Sequence, residues 1–386
     1  AAEKAKKNPI TRKKDGKRSD IRIGFFGLSS IPALRALIAP VMARLDSDKF
    51  TRVLAFSSQP GNTLTQGQRA NIAQNCDEFH EFQEQDDREL AAQLGQLDLD
   101  IIIGLNGLQQ PGTRAGALAW RPASMQMTWA GTPSSCPLAA LDYQILDPKI
   151  APEEKEWKTD TALELPESWA CFGTMPDFEL AEELPSRMNG HVTFGVNGAA
   201  DKFNEVTLQH WARILKDMPA ARLTFMNPGY AVERACENIR GWFRHYGVDD
   251  ADDRLGFNGE KAPQRRHMLN YNEIDVLLDN HPMCGGIGLL EALHMGVPAV
   301  TLKGGVIQHR LGHSQLISVG LDDCSMPDWD GYVQKAIELA NDEDRRRELR
   351  SSLRDTLAGT SFIDMDKFVG EFQDKMLEAV RESHAL

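Results

Sequence analysis

Short apolar runs alternate with stretches whose apolar positions recur every three or four residues, from residue 21 almost to the end of the 386-residue chain. The run "IRIGFFGLSS" (21–30) ends in Gly and Ser and leads into "IPALRALIAPVMARL", where Leu34, Leu37, Ile38, Val41 and Leu45 share one helical face. The pattern then predicts a strand at "FTRVLAFSS", a polar helix near 65–75, a helix at "ELAAQLGQL", and strands at "LDIIIGLNG", "SMQMTWAG" and "LDYQILD". Apolar runs without alternation mark strands covered on both faces, as in parallel sheets. The Pro- and charge-rich "PKIAPEEKEWKTD" interrupts the series, and the stretch beyond it, with "ALELPESWACF", reads as an irregular connection. A second series opens at "HVTFGVNG" (191–198). It continues as helix 204–217, strand "ARLTFMN", helix 231–246, strand "RLGFNG", helix 262–271, strand "IDVLLDN", helix 286–296 and strand "AVTLKG". Helices fill the remainder, including "MDKFVGEFQDKMLEAVRESH".

Strand-helix alternation of this kind predicts two doubly wound, Rossmann-like α/β domains. Such a pair is the architecture called GT-B, in which a ligand sits in the cleft facing the carboxyl ends of both sheets. The expected boundaries are a basic tail or linker (1–20), an N-terminal Rossmann-like domain (21–150) and an interdomain segment (151–190). A C-terminal Rossmann-like domain (191–360) and a last helix (361–386) follow. At 41% hydrophobic and 26% charged, the chain can bury two cores. Its formal charge of −13 opposes binding to nucleic acid or an anionic membrane surface; "KAKKNPITRKKDGKR", Lys4 to Arg18, is the one basic stretch and suits a solvated tail. The six cysteines (Cys76, Cys136, Cys171, Cys236, Cys284, Cys324) show no CxxC spacing, so reduced thiols and a cytoplasmic location are expected. No apolar run reaches the roughly 20 residues of a membrane span, and no signal-peptide pattern opens the chain. The first residue is Ala, so an upstream domain is compatible with the sequence.

Candidate chemistry concentrates in "LLDNHPMCGGIGLLEALHMGVPAVTLKGG" (277–305). "CGGIG" sits between an apolar strand and a helix, where glycines allow close backbone approach and the helix N-terminus attracts a phosphate. A tight strand-helix turn requires glycine for steric reasons too, so the turn alone does not decide. Glu291, inside the first turns of the helix, is placed to accept from a ribose diol, or simply to face water.

Several ordered segments together resemble the O-GlcNAc transferase family, which includes the SPINDLY-type sugar transferases and, more distantly, protein N-glucosyltransferases. "LDNHPMCGGIGLLEALHMGVPAVTLKGG" is similar to the family's donor-binding pattern LDTPLCNGHTTG, helix, GTPMVT; "VIQHRLGHSQL" follows with Arg310, Ser314 and Gln315 in the family's RxxxSQL. "APQRRH" resembles APxxEH, whose histidine packs on the uracil ring, here His267. "DKFNEVTLQHWARILKDMP" resembles YKIxPxxLxxWxxILxxVP and puts Lys202 where the family carries its phosphate-binding lysine. "LNG", "RPASMQMTWAGTP" and "LDYQILD" resemble NGY, RPAPIQxxWxGYPGT and MDYIITD in the first domain.

The resemblance implies a glycosyltransferase moving GlcNAc, glucose or a similar sugar from a nucleotide donor, UDP-linked in the family's manner, to a protein side chain, by inversion and without a metal or separate cofactor; it implies an acceptor-side role for the N-terminal domain (21–150) and a nucleotide-sugar-binding role for the C-terminal one (191–360). It implies a donor site of Lys202, Gln264, His267, Cys284, Gly285, Gly286, Ile287, Gly288 and Glu291, with Lys202 and the helix start stabilising the departing diphosphate. It also shows departures. Ile31 precedes Pro32 where the family has its base histidine, and isoleucine takes no proton; Gly286, Ile287 and Gly288 replace HTT, removing two hydroxyl donors; Ala199 and Gln264 replace a Gln and a Lys. His309, His313, Asn106, Ser29 and Ser30 are the polar residues expected nearby, His309 first among them. The alternatives are a nucleotide-sugar-binding or scaffolding homologue without catalysis, and a nucleotide-sugar epimerase. No 34-residue tetratricopeptide signature precedes residue 20, so acceptor selection is expected from an upstream domain, a partner or the 151–190 segment.

Overall fold

The computed structural model describes residues 9–12, 18–27, 32–58, 63–83, 86–105, 114–129, 138–152 and 161–385. The chain forms two compact units, one of residues 1–173 with 364–386, the other of residues 174–363.

The first unit holds a seven-stranded parallel sheet of β1 (Ile21–Phe26), β2 (Phe50–Ser57), β3 (Glu78–Phe82), β4 (Ile101–Gly104), β5 (Met125–Thr128), β6 (Tyr143–Leu146) and β7 (Ala162–Glu164). Their spatial order is β3-β2-β1-β4-β5-β6-β7, with Phe26 opposite Ala55 on one side and Gly104 on the other. The central strands are the apolar runs, and Ile101, Ile102, Ile103, Val53, Leu54 and Phe25 are completely buried. Helix Pro32–Arg44 contributes Leu37, Ile38 and Val41 to the core. Strand β3 is absent from the pattern-based reading because its sequence, EFHEF, is charged and only half-buried; it is an edge strand, tied by Glu78, which receives both guanidinium ends of Arg22 at 2.8 Å. Strand β7 lies in the stretch expected to be irregular and pairs along β6 from Gln144 to Leu146. Beyond it Trp129 Nε1 donates to the Trp169 carbonyl at 2.8 Å, and the last helix, Met365–Ala385, lays Phe368 and Phe372 on the Trp129 ring, at 6.0 and 5.0 Å between centroids. Of the basic tail, Arg18 is described and pairs with Asp98 and Asp100 at 2.5 and 3.1 Å.

The second unit repeats the winding. β8 (Thr193–Asn197), β9 (Arg222–Met226), β10 (Leu255–Asn258), β11 (Val276–Leu278), β12 (Ala299–Leu302) and β13 (Ser325–Met326) are ordered β10-β9-β8-β11-β12-β13, all parallel. In this order the direction of winding reverses between β8 and β11, the place where open α/β sheets bind ligands at their strand ends. Those strands are held at their other end by buried Asp275, which accepts the Thr193 N–H at 2.9 Å. β13, two residues long, carries too little apolar sequence to be read as a strand.

Candidate functional site

Asp279 and Asn280 follow β11 at the reversal point, and Asn197 ends β8 beside them. Asp279 is almost fully buried. Its Oδ1 accepts from the backbone N–H of Asn280 at 2.9 Å and of Gly285 at 2.6 Å; Oδ2 accepts the Thr301 hydroxyl at 2.6 Å. These bonds bend residues 279–285 back on themselves and bring the chain to the start of helix Ile287–His294. Burial pushes the Asp279 carboxyl up to about 6, while the Thr301 hydroxyl, the two N–H donors and the Lys202 charge oppose the shift. A side chain at 285 would put a Cβ 2.8 Å from Asp279 Oδ1, so this glycine is required by the close approach.

No side chain caps helix Ile287–His294, and no acidic residue lies in its first turn. The Gly286 carbonyl is held from behind by Gln315 Nε2 at 3.1 Å. Unpaired N–H groups and the helix dipole therefore meet at this point, which suits an anion. Lys202 comes to the same turn: its carbonyl accepts the Met283 N–H at 3.2 Å, and Phe203 bridges to Pro282.

One turn into the helix, Glu291 meets three donors. His267 Nε2, from helix Gln264–Leu269, lies 2.9 Å from Glu291 Oε2; the Tyr271 hydroxyl lies 3.0 Å from it and Asn197 Nδ2 3.4 Å. The hydrogen bond to Glu291 holds the His267 imidazole above its ordinary pKa, against the opposing effect of burial. Tyr271 is fully buried, and burial followed by the Glu291 charge pushes its phenol far up.

The remaining expected residues divide. Gly285, Gly286 and Gly288 line the turn. Ile287 is 50% exposed at its tip and Met283 is 40% exposed next to it, so apolar side chains flank the helix start. Cys284 is different: its thiol is buried against Asp279, Thr301 and Gly312, and its N–H goes to the Gln308 carbonyl at 3.4 Å. Gln264 is exposed one turn before His267. His309, in a 3-10 turn after β12, lies 4.7 Å from the His281 ring, which packs edge-on against Trp329. Burial lowers both imidazoles, His281 to about 4. His313 points to Ser325 Oγ at 2.8 Å. Ile31, Ser29, Ser30 and Asn106 lie outside the described residues. Sequence reasoning missed Asp279, Asn197 and Tyr271. The signals present were a polar residue directly after an apolar run, in "VLLDN" and "GVNG", and a tyrosine four positions after His267, on the same helical side.

Two parallel, doubly wound units, the second with an uncapped glycine turn and a carboxylate at its reversal point, make this a protein of the GT-B class. Solved structures share it at the level of fold, among them a sucrose-phosphate synthase from Thermosynechococcus elongatus (12% identity, TM-score 0.56, 93% of this chain and 100% of that chain covered). The chain belongs to glycosyl transferase family 41, whose sequence pattern matches residues 12–165 and 190–372. It is similar to the probable UDP-N-acetylglucosamine–peptide N-acetylglucosaminyltransferase SPINDLY of Arabidopsis thaliana, 32% identical over 283 residues, 71% of this chain and 30% of the relative. It is also similar to a lysine-to-methionine mutant of the O-GlcNAc transferase from Thermobaculum terrenum, with 26% identity, a TM-score of 0.85, and coverage of 97% of this chain and 70% of that one. The chain thus spans under a third of the length of the curated SPINDLY relative.

Proposed function

We propose that this protein transfers a sugar, GlcNAc, glucose or similar, from a UDP-linked donor to a protein side chain, inverting at the sugar carbon and using no metal. The observation that carries the reading is the junction of the Asp279-held turn with Glu291 at the β8–β11 reversal, in a chain of family 41. The turn and Lys202 receive the diphosphate, Glu291 the ribose, and His267 the base. When the acceptor attacks the sugar carbon, the bond to the diphosphate oxygen breaks and negative charge grows on the leaving group. The Lys202 ammonium and the helix N–H groups stabilise that charge. The acceptor proton leaves late, to a phosphate oxygen or a water chain. The protein acts in the cytoplasm, and an upstream domain or a partner selects the acceptor. Among the described residues no helix is long and apolar enough to cross a membrane, and no group of three His, Cys, Asp or Glu is arranged to hold a metal ion.

Calorimetric titration with UDP, UDP-GlcNAc, UDP-glucose and GDP-linked sugars, paired with transfer and hydrolysis assays, tests the proposal. Binding and turnover of a UDP-sugar are expected in the presence of EDTA. Lys202→Ala is expected to lower kcat by about 10²–10³-fold, the scale of losing one donor to a developing oxyanion. Absence of binding and turnover with every nucleotide sugar defeats the proposal; binding without turnover points to a donor-binding homologue.

A further inference from the structure

Helix Ile287–His294 gives the site two features, the N–H groups at its start and the Glu291 carboxylate one turn in, and one buried hydroxyl joins them. The Tyr271 hydroxyl lies 3.0 Å from the Gly288 carbonyl and 3.0 Å from Glu291 Oε2, and accepts from Asn197 Nδ2. A phenol has one proton to donate, so that proton is shared between the carbonyl and the carboxylate while Asn197 fills a lone pair. Asn197 also reaches Glu291 Oε2, and its Nδ2 would lie 2.6 Å from a Cβ at position 288, so glycine there is what lets the amide approach the helix. His267 completes the set at 2.9 Å. All three donors converge on Oε2, and no described residue donates to Oε1. Three separate elements are tied in this way: the end of β8, the segment after helix Gln264–Leu269, and the start of helix Ile287–His294. In a buried setting, bonds that share atoms reinforce one another, and losing one leaves its partners desolvated and unpaired.

We infer that Tyr271 and Asn197 are positioning residues that join the phosphate-side turn to Glu291 as one hydrogen-bonded unit, so that Glu291 presents a single defined oxygen, Oε1, to the sugar hydroxyls of a bound nucleoside diphosphate. The ligand's identity rests on the function proposed above; the network does not. Neither residue touches the reacting atoms. Their effect is on affinity, by keeping the two ends of the site at a fixed spacing.

The test combines a ligand-free measurement with a binding one. NMR titration of the His267 imidazole reads the charge on Glu291 Oε2. Tyr271→Phe and Asn197→Ala each remove a competing donor from that oxygen, so the His267 midpoint is expected to rise in both, and to fall in Glu291→Gln. UDP is the binding probe. Tyr271→Phe is expected to weaken it about 10-fold, with Glu291→Gln in the same chain adding less than its separate fold-change. An unmoved midpoint in both donor variants overturns the inference, and so do fold-changes that multiply independently in the double variant. If the wild type binds no nucleotide while the midpoint still moves, the proposed function fails and the network stands without that ligand. Asn197→Ala keeps the test decisive should Tyr271→Phe fail to fold.

Discussion

At Asp279 a carboxyl with almost no solvent contact holds two backbone N–H groups and one hydroxyl. Burial opposes its ionisation more strongly than these donors favour it, and the result is a pKa raised from 3.8 to about 6. A folded-state value above the unfolded one means that the protonated acid is the better fit. Its contribution to stability is full below about 3.8 and is lost as pH rises through about 6. Asp279→Asn cannot ionise and removes that dependence. The stability of the wild type relative to this variant is therefore expected to fall by roughly 2–3 kcal/mol between pH 4 and pH 7, measured by denaturant unfolding of both across that range. A pH-independent difference contradicts this account of the residue. Asp279 was also the hardest site residue to read from sequence, because a single acid after "VLL" looks like a solvated strand end. Its partners, Gly285 and Thr301, lie 6 and 22 positions away, and only folding brings them to it.

Helix Ile287–His294 starts bare. It lacks a capping side chain and a first-turn acid, the features that stabilise most helix starts. Ile287→Glu, at a position 50% exposed, places a carboxylate where the dipole favours it. The variant is expected to gain about 0.3–1 kcal/mol of stability and to bind UDP more weakly, because the new charge opposes a diphosphate. Thermal unfolding and titration of one preparation check both halves; tighter binding, or no change in binding, argues against an anion at this turn. The elements themselves differ in how well the sequence announces them. β1, β2, β4, β8 and β11 lie inside apolar runs because parallel strands are covered on both faces. β3 escapes because an edge strand is half-buried and stabilised by Arg22 and Glu78, a pairing across 56 positions. The glycines of the 285–288 turn and Glu291 stand out through their order along the chain, whereas Tyr271 and Asn197 meet Glu291 through side-chain contacts that no local pattern encodes.

For the whole molecule, the notable fact is the path of the chain. It builds seven strands of the first unit, leaves at Gly173 to form the second unit, and returns with residues 364–386. The returning helix covers Trp129 with Phe368 and Phe372, both completely buried, and Gln373 Oε1 accepts the Asp46 N–H at 2.5 Å. Removing residues 364–386 is expected to expose Trp129 and unfold the first unit. The second unit, whose sheet and site lie between residues 174 and 363, is expected to keep its protease resistance and its UDP binding. Limited proteolysis with mass spectrometry distinguishes the two, and a truncated chain whose first unit stays resistant overturns the expectation. The same path has a consequence in time. On the ribosome, residues 1–173 emerge first but lack the helix that closes their core until synthesis nears residue 386. The unit made later holds all of its own strands well before that. Translation is thus expected to reverse the written order: the second unit can close before residues 364–386 are made, whereas the first unit stays an open sheet until they are.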